Sequence, residues 1–173
     1  MTATPIRGDR VSASVFVAAP PAIAFEVFTA QIDQWWRHGM KFRAGGRGCS
    51  VLHLEPRLGG RLFETISAAQ DPGGPGHVRQ TGTVTAWDPP RALQIEWRGA
   101  NFAPHESTTV SVTFDARAEG TLVTLVHSGF ASLPADHPVR HGKPVDQFVA
   151  QMAMWWSELM SALRAHVAAR GDE

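Results

Sequence analysis

The side chains best placed to move a proton are His127 and Glu64. His127 closes the alternating run Val123, Leu125, His127, so its imidazole shares the inward side of two apolar neighbours. There it could donate to a ligand carbonyl or act as acid or base, or be a structural histidine bonded to backbone near Ser128 and Gly129. Glu64 is a nearby carboxylate that could serve the same chemistry, but no acid–base pair stands at a telling spacing. Arg57 and Arg61 flank Gly59-Gly60, where one could clamp a carboxylate or tie the turn to Glu55 or Glu64. His137 and His141 are four apart, but Pro138 and Gly142 make that stretch a loop, so no metal site is expected. Cys49 is the only cysteine, which leaves no internal disulfide and reads as a small apolar residue. There is no Gly-x-Ser-x-Gly nucleophile motif. The glycines at Gly45-Gly46-x-Gly48 and Gly73-Gly74 do not join a strand to a helix as a phosphate cradle does, so no cofactor is expected.

At 173 residues the chain suits one domain. Sixteen basic residues balance sixteen acidic ones, so no overall positive field marks a nucleic-acid or anionic-membrane binder. Arg37, Lys41, Arg43 and Arg47 do crowd one segment, which reads as a solvated loop or a local basic patch. No apolar stretch approaches the roughly twenty residues of a membrane span, and the start lacks the pattern of a secretory signal. Cytoplasmic location follows by elimination. Residues 1–10 and 168–173 read as tails around a single domain over 11–167.

What must position these groups is a sheet and one long helix. Val11, Ala13, Val15 and Val17 alternate as in a half-buried strand that ends at Pro20. Two short helices follow, at 21–29 and 32–38, the second carrying Trp35 and Trp36. A mobile loop is expected from Gly39 to Gly48. Six strands are predicted next, at 51–55, 61–67, 77–87, 91–98, 106–115 and 121–127, joined by short turns that imply antiparallel neighbours. From Pro144 to about Val167, Val145, Phe148, Val149, Met152, Trp155, Trp156, Leu159, Met160, Leu163 and Val167 recur at threes and fours, one wide apolar helix face. A lone helix among strands must bury that face on the sheet. The fold class is α+β: seven antiparallel strands, in the order β-α-α-β6-α, wrapped around a long C-terminal helix.

Several strings in this order also carry a family likeness. They are Trp35-Trp36, Glu55-Pro56-Arg57-Leu58-Gly59-Gly60-Arg61, Gly82-Thr83-Val84 leading to Trp87-Asp88-Pro89-Pro90, Gly120-Thr121-Leu122-Val123-Thr124-Leu125, and His127-Ser128-Gly129-Phe130. Over residues 11–165 the chain resembles the SRPBCC, or START-like, helix-grip superfamily of lipid-transfer domains, polyketide cyclases and the major birch-pollen allergen. Its nearest likeness is to the bacterial branch similar to the C-terminal domain of the heat-shock-protein-ninety ATPase activator. The resemblance implies a helix-grip fold and a scaffold that hosts carriers, cyclases and chaperone partners alike.

Three functions compete. In the first, Phe25, Phe28, Trp36, Phe63, Trp97, Phe114, His127, Met152, Trp156 and Leu159 line a hollow that binds a small, largely apolar molecule, whether aromatic, polyketide or lipid-like. The same residues could instead fill the core. In the second, the hollow is the site of a polyketide cyclase, dehydratase or hydrolase using His127 or Glu64. In the third, the outer sheet face or the 39–48 loop binds a partner; a homodimer through an edge strand fits this reading. The chain carries no second domain of the kind eukaryotic activators pair with this one, so chaperone activation is not the expectation.

Overall fold

Val11, Ala13, Val15 and Val17 are buried and the residues between them exposed, which gives β1 (Arg10–Val17) one core face and one wet face. These are coordinates of a computed structural model that describes residues 9–45, 50–67 and 76–171. Cys49, Arg47, the glycines at 46, 48, 73 and 74, and both chain ends lie outside the described residues. Pro21 opens α1 (Pro21–Ala30), at a position where its missing N–H leaves no bond unmade. The next helix, α2 (Ile32–Trp35), is one turn and stops short of the predicted His38 because Trp36 is extended. Adjacent helical residues diverge by about 100°. Breaking the helix between the two tryptophans lets both be buried, with Trp35 Nε1–H donating to the Phe28 carbonyl and Trp36 Nε1–H to that of Phe42.

The remaining strands are β2 (Ser50–Leu54), β3 (Arg61–Ile66), β4 (His77–Asp88), β5 (Ala92–Trp97), β6 (Thr108–Arg117) and β7 (Gly120–Ser128). They form one seven-stranded sheet in the order β1-β7-β6-β5-β4-β3-β2, and every pairing is antiparallel. Between β2 and β3, Gly59 adopts φ +75°, and a side chain on Gly60 would fall 2.3 Å from the Glu55 carbonyl oxygen, so this turn needs both glycines. Register shifts between β3 and β4 and between β4 and β5 bend the sheet, as bulges do. Curvature lays the β1 end along α3 (Val145–Gly171) and the β2 end against α1 and α2, giving the helix-grip arrangement.

Core residues fall on the predicted side. Leu93 and Ile95, Val110, Val112 and Phe114, and Val123, Leu125 and His127 are all buried. They meet Trp156, Leu159, Met160, Leu163 and Val167 of α3, which also packs along β1. Fully burying each such side chain contributes about 1.5–3 kcal/mol. The helix continues to Gly171 rather than ending at Val167, since Ala168, Ala169 and Arg170 favour helix and a cation suits the last turn. Its first turns are less covered, leaving Val145 exposed and Met152 and Trp155 half-buried.

The loop after α2 differs from the solvated one its charges suggest. The Arg43 side chain is 0% exposed, and all five of its N–H groups have acceptors. Nε–H donates to the Arg37 carbonyl, Nη1 to the Asp33 carboxylate and the Ser50 carbonyl, and Nη2 to the Asp33 and Trp36 carbonyls. Asp33 also accepts the Leu52 N–H at 2.9 Å. Burial pushes the Asp33 carboxyl up, but the bonds from Leu52 and Arg43 outweigh it and hold the group below its ordinary value. Of the described basic residues of this segment, Arg37 and Lys41 stay on the surface, both paired with Glu158 of α3. Removing one partner of a buried pair leaves the other charge uncompensated. Asp33→Ala is therefore expected to lower the unfolding free energy in urea by about 3 kcal/mol, against under about 1 kcal/mol for Lys41→Ala. Equal losses would show that the guanidinium is no anchor.

Candidate functional site

The aromatic residues proposed as a single lining divide into two groups. Phe25, Phe28 and Phe114 pack with each other and with Trp35 and Trp87 at ring separations of 5.1–5.6 Å, and this end of the core is filled. Trp36, Trp97 and Trp156 gather at the other end with Trp155, mostly edge to face. Leu159 is fully buried in the core. Phe63 does not face inward. Leu62, Glu64 and Ile66 take the inner side of β3, so Phe63 lies outside, stacked on His53 at 4.8 Å with the Arg61 guanidinium 4.4 Å from its ring. Strand parity, with Leu62 and Ile66 at even spacing, carried that signal.

His127 is inward and 1% exposed, but its partners are side chains rather than the nearby backbone. Trp156 Nε1–H, which can only donate, reaches Nδ1 at 3.1 Å. The ring proton is therefore on Nε2, which donates to Thr108 Oγ1 at 2.7 Å, and the Thr108 hydroxyl donates on to the Trp97 carbonyl. Phe130, Trp97 and Trp156 surround the ring. Burial pushes the imidazole down to about 3, so it is neutral. A neutral, doubly bonded histidine braces β7 to α3.

Glu64 is also buried, and both its oxygens are occupied: Ala44 N–H and Gly45 N–H donate to them at 2.9 Å. Of the arginines at the β2–β3 turn, Arg61 binds Glu55 through side chain and backbone, and Arg57 approaches the same carboxylate. Those bonds, the Arg61 side chain first, hold Glu55 down to about 2. This is the turn tie, not a clamp open to a ligand. His137 and His141 do not converge either. His137 Nε2 donates to Glu106 at 2.7 Å while its Nδ1 accepts the Val139 N–H, and no metal-holding cluster exists among the described residues.

A hollow of about 120 Å³ does remain between the sheet and the tryptophan group. Trp36, Trp97, Trp155 and Phe42 wall it, Leu52 and Leu62 form its floor, and Glu64, Arg79 and Thr81 supply polar atoms. The loop fixed by Arg43 forms one side through Phe42 and Ala44. Beyond Trp155 lies a second, larger space of about 430 Å³, lined by Met40, Lys41, Val139, Phe148, Met152 and Met154 among others. Met152, expected inside, borders this outer groove. Trp155 separates the two spaces, its Nε1–H bonded to the Lys41 carbonyl at 2.8 Å and its ring stacked on Phe42. The sequence reading missed Phe42, Arg79 and Trp155 as site residues. Trp155 was legible on the apolar helix face, whereas Arg79 needed the bulge to be known.

A curved antiparallel sheet closed around a C-terminal helix, with a hollow under its aromatic end, defines a helix-grip protein. The chain belongs to the family described as activator of Hsp90 ATPase homolog 1-like protein, whose model matches residues 18–168. No curated protein matches it significantly. Among solved structures it is similar to protein MLL2253 of Mesorhizobium loti, at 20% identity and TM-score 0.61, covering 93% of this chain and 97% of that one. Protein SA2116 of Staphylococcus aureus, of unknown function, matches at 10% identity and TM-score 0.66, covering 95% and 96%. The Hsp90 activator PFC0360w of Plasmodium falciparum matches at 15% identity and TM-score 0.54, covering 84% and 89%. At these identities the likeness is one of fold. No helix among the described residues is long and apolar enough to cross a membrane.

The buried imidazole makes a pH prediction. An unfolded histidine takes up a proton near pH 6.5, while folded His127 does so only near 3. Between those values the unfolded state holds the extra proton, so stability rises with pH and falls on acidification from about 6.5 toward 3. Comparing urea unfolding at pH 6 and pH 4, His127→Gln is expected to be less stable at pH 7 and to lose up to about 1.4 kcal/mol per pH unit of the wild-type slope. An unchanged slope would show that this imidazole is not held neutral.

Proposed function

We propose that the protein binds a small, largely apolar molecule, a planar single ring, in the hollow between the β3–β5 face and the tryptophans of the loop and α3. The observation that carries this reading is an aromatic-walled space of about 120 Å³ between the sheet and the tryptophan group. A dry apolar cavity of about 150 Å³ is known to accept benzene, so the volume suits one ring. Of the aromatic, polyketide and lipid-like classes, only the first fits without rearrangement. Ring faces and edges at fixed angles favour a flat guest through stacking and edge-to-face contact. Burial of ligand area at about 25 cal/mol per Å² supplies the attraction.

Binding rather than catalysis is the better reading of the polar groups. Both nitrogens of His127 and both oxygens of Glu64 already have partners. Neither is available as an acid or base without first breaking a bond in a region of low dielectric. A cytoplasmic carrier or sensor of a small aromatic compound is the corresponding role. Binding to a chaperone or a second copy has no comparable observation behind it. At the β2 edge, the Leu52 N–H and Ser50 carbonyl are already taken by Asp33 and Arg43.

Leu52 is 7% exposed and lines the hollow, so Leu52→Phe places a ring where the guest would sit. The expected result is a melting temperature within a few degrees of wild type and loss of at least tenfold in affinity for single-ring aromatics, read by titrating the indole N–H resonances. Undiminished binding by this variant would put the ligand elsewhere.

A further inference from the structure

We infer that the guest carries an anionic group, and that Arg79 selects a single-ring aromatic carboxylate; this rests on the binding reading above. Arg79 stands on β4 opposite Glu64, and paired antiparallel residues point to the same side, here the inner face. It lines the hollow, yet is exposed at its mouth. Its neighbours are differently placed: Arg43, Arg61 and Arg98 each have a carboxylate partner. No carboxylate among the described residues pairs with Arg79. Glu64, the obvious candidate, is turned onto the Ala44 and Gly45 N–H groups.

The β3–β4 register shift supplies a second polar group. Leu62 pairs with Gly82 and Phe63 with Gln80, so Thr81 is left over in the bulge. Thr81 lines the same hollow as Arg79. A flat ring between Trp36, Trp97 and Trp155 would therefore share its space with Arg79 and Thr81, both on the lining. A guanidinium offers parallel N–H groups that match the two oxygens of a carboxylate. Of the other charged groups nearby, Lys41 lies across Trp155 and is paired with Glu158, leaving Arg79 as the cation that meets the guest.

The test compares benzoate with benzamide, its neutral isostere, by titrating indole N–H resonances of wild type and of Arg79→Gln. Because Arg79 is exposed, the variant is expected to fold normally, checked by circular dichroism. Wild type is expected to bind benzoate about tenfold tighter than benzamide, a preference that shrinks in 0.5 M salt, as charge-assisted bonds at a partly wet site do. Arg79→Gln should bind both alike. Equal binding of the two by wild type, or a preference that survives in Arg79→Gln, would overturn the anion assignment and leave the aromatic hollow standing. Binding of neither, by a protein whose spectrum shows it folded, would overturn both.

Discussion

A guanidinium cannot be left dry and unpaired, and satisfying that of Arg43 organises one whole side of this protein. Its donors reach Asp33 of α2, the Trp36 and Arg37 carbonyls that follow it, and Ser50 at the start of β2. One side chain thereby fixes the break after α2, the path of the 39–45 loop and the position of the edge strand. The Asp33–Arg43 pair also occupies two outward backbone groups of β2, the Leu52 N–H and the Ser50 carbonyl, that would otherwise invite another strand. With the loop held, Phe42 and Ala44 become walls and Ala44 and Gly45 N–H groups meet Glu64. Bonds to residues 43–45 thus hold one wall of the hollow in place.

At the opposite wall the structural logic is the same with a neutral group. His127 lies between a donor-only indole and a hydroxyl, so its tautomer is dictated by its neighbours. The chain Trp156 to His127 to Thr108 to Trp97 carbonyl links α3, β7, β6 and β5. It thus ties the strand that carries Trp97, one of the rings bordering the hollow, to the helix that carries Trp155, another. A buried polar network that is fully satisfied confers geometry rather than reactivity.

Much of this was legible in the sequence because it depends on period and turns. The strand runs, the antiparallel order and the long helix follow from alternation, glycine turns and apolar spacing, and parity alone put His127 inside. What was not legible depends on contacts between distant residues. Arg43 looks like any loop cation until the Asp33 carboxylate and four backbone carbonyls converge on it. Phe63 was drawn inward by its hydrophobicity, although Leu62 and Ile66 on the same strand claim that face. Arg79 lies in a strand whose parity is reset by a bulge, and a bulge leaves no reliable mark in composition.

On the proposed single-ring reading, the size of guest is set by Trp155, which stands between the hollow and the outer groove. Moving it breaks its bond to the Lys41 carbonyl and its stack on Phe42, together costing about 1–3 kcal/mol. A larger guest recovers that only by burying roughly 100 Å² more apolar surface, worth about 2.5 kcal/mol. One extra methyl group does not reach this threshold, whereas a second ring does. The proposed selection for single rings would therefore be sharp against slightly larger molecules and weak against much larger ones, for which displaced Trp155 would join the two spaces into one.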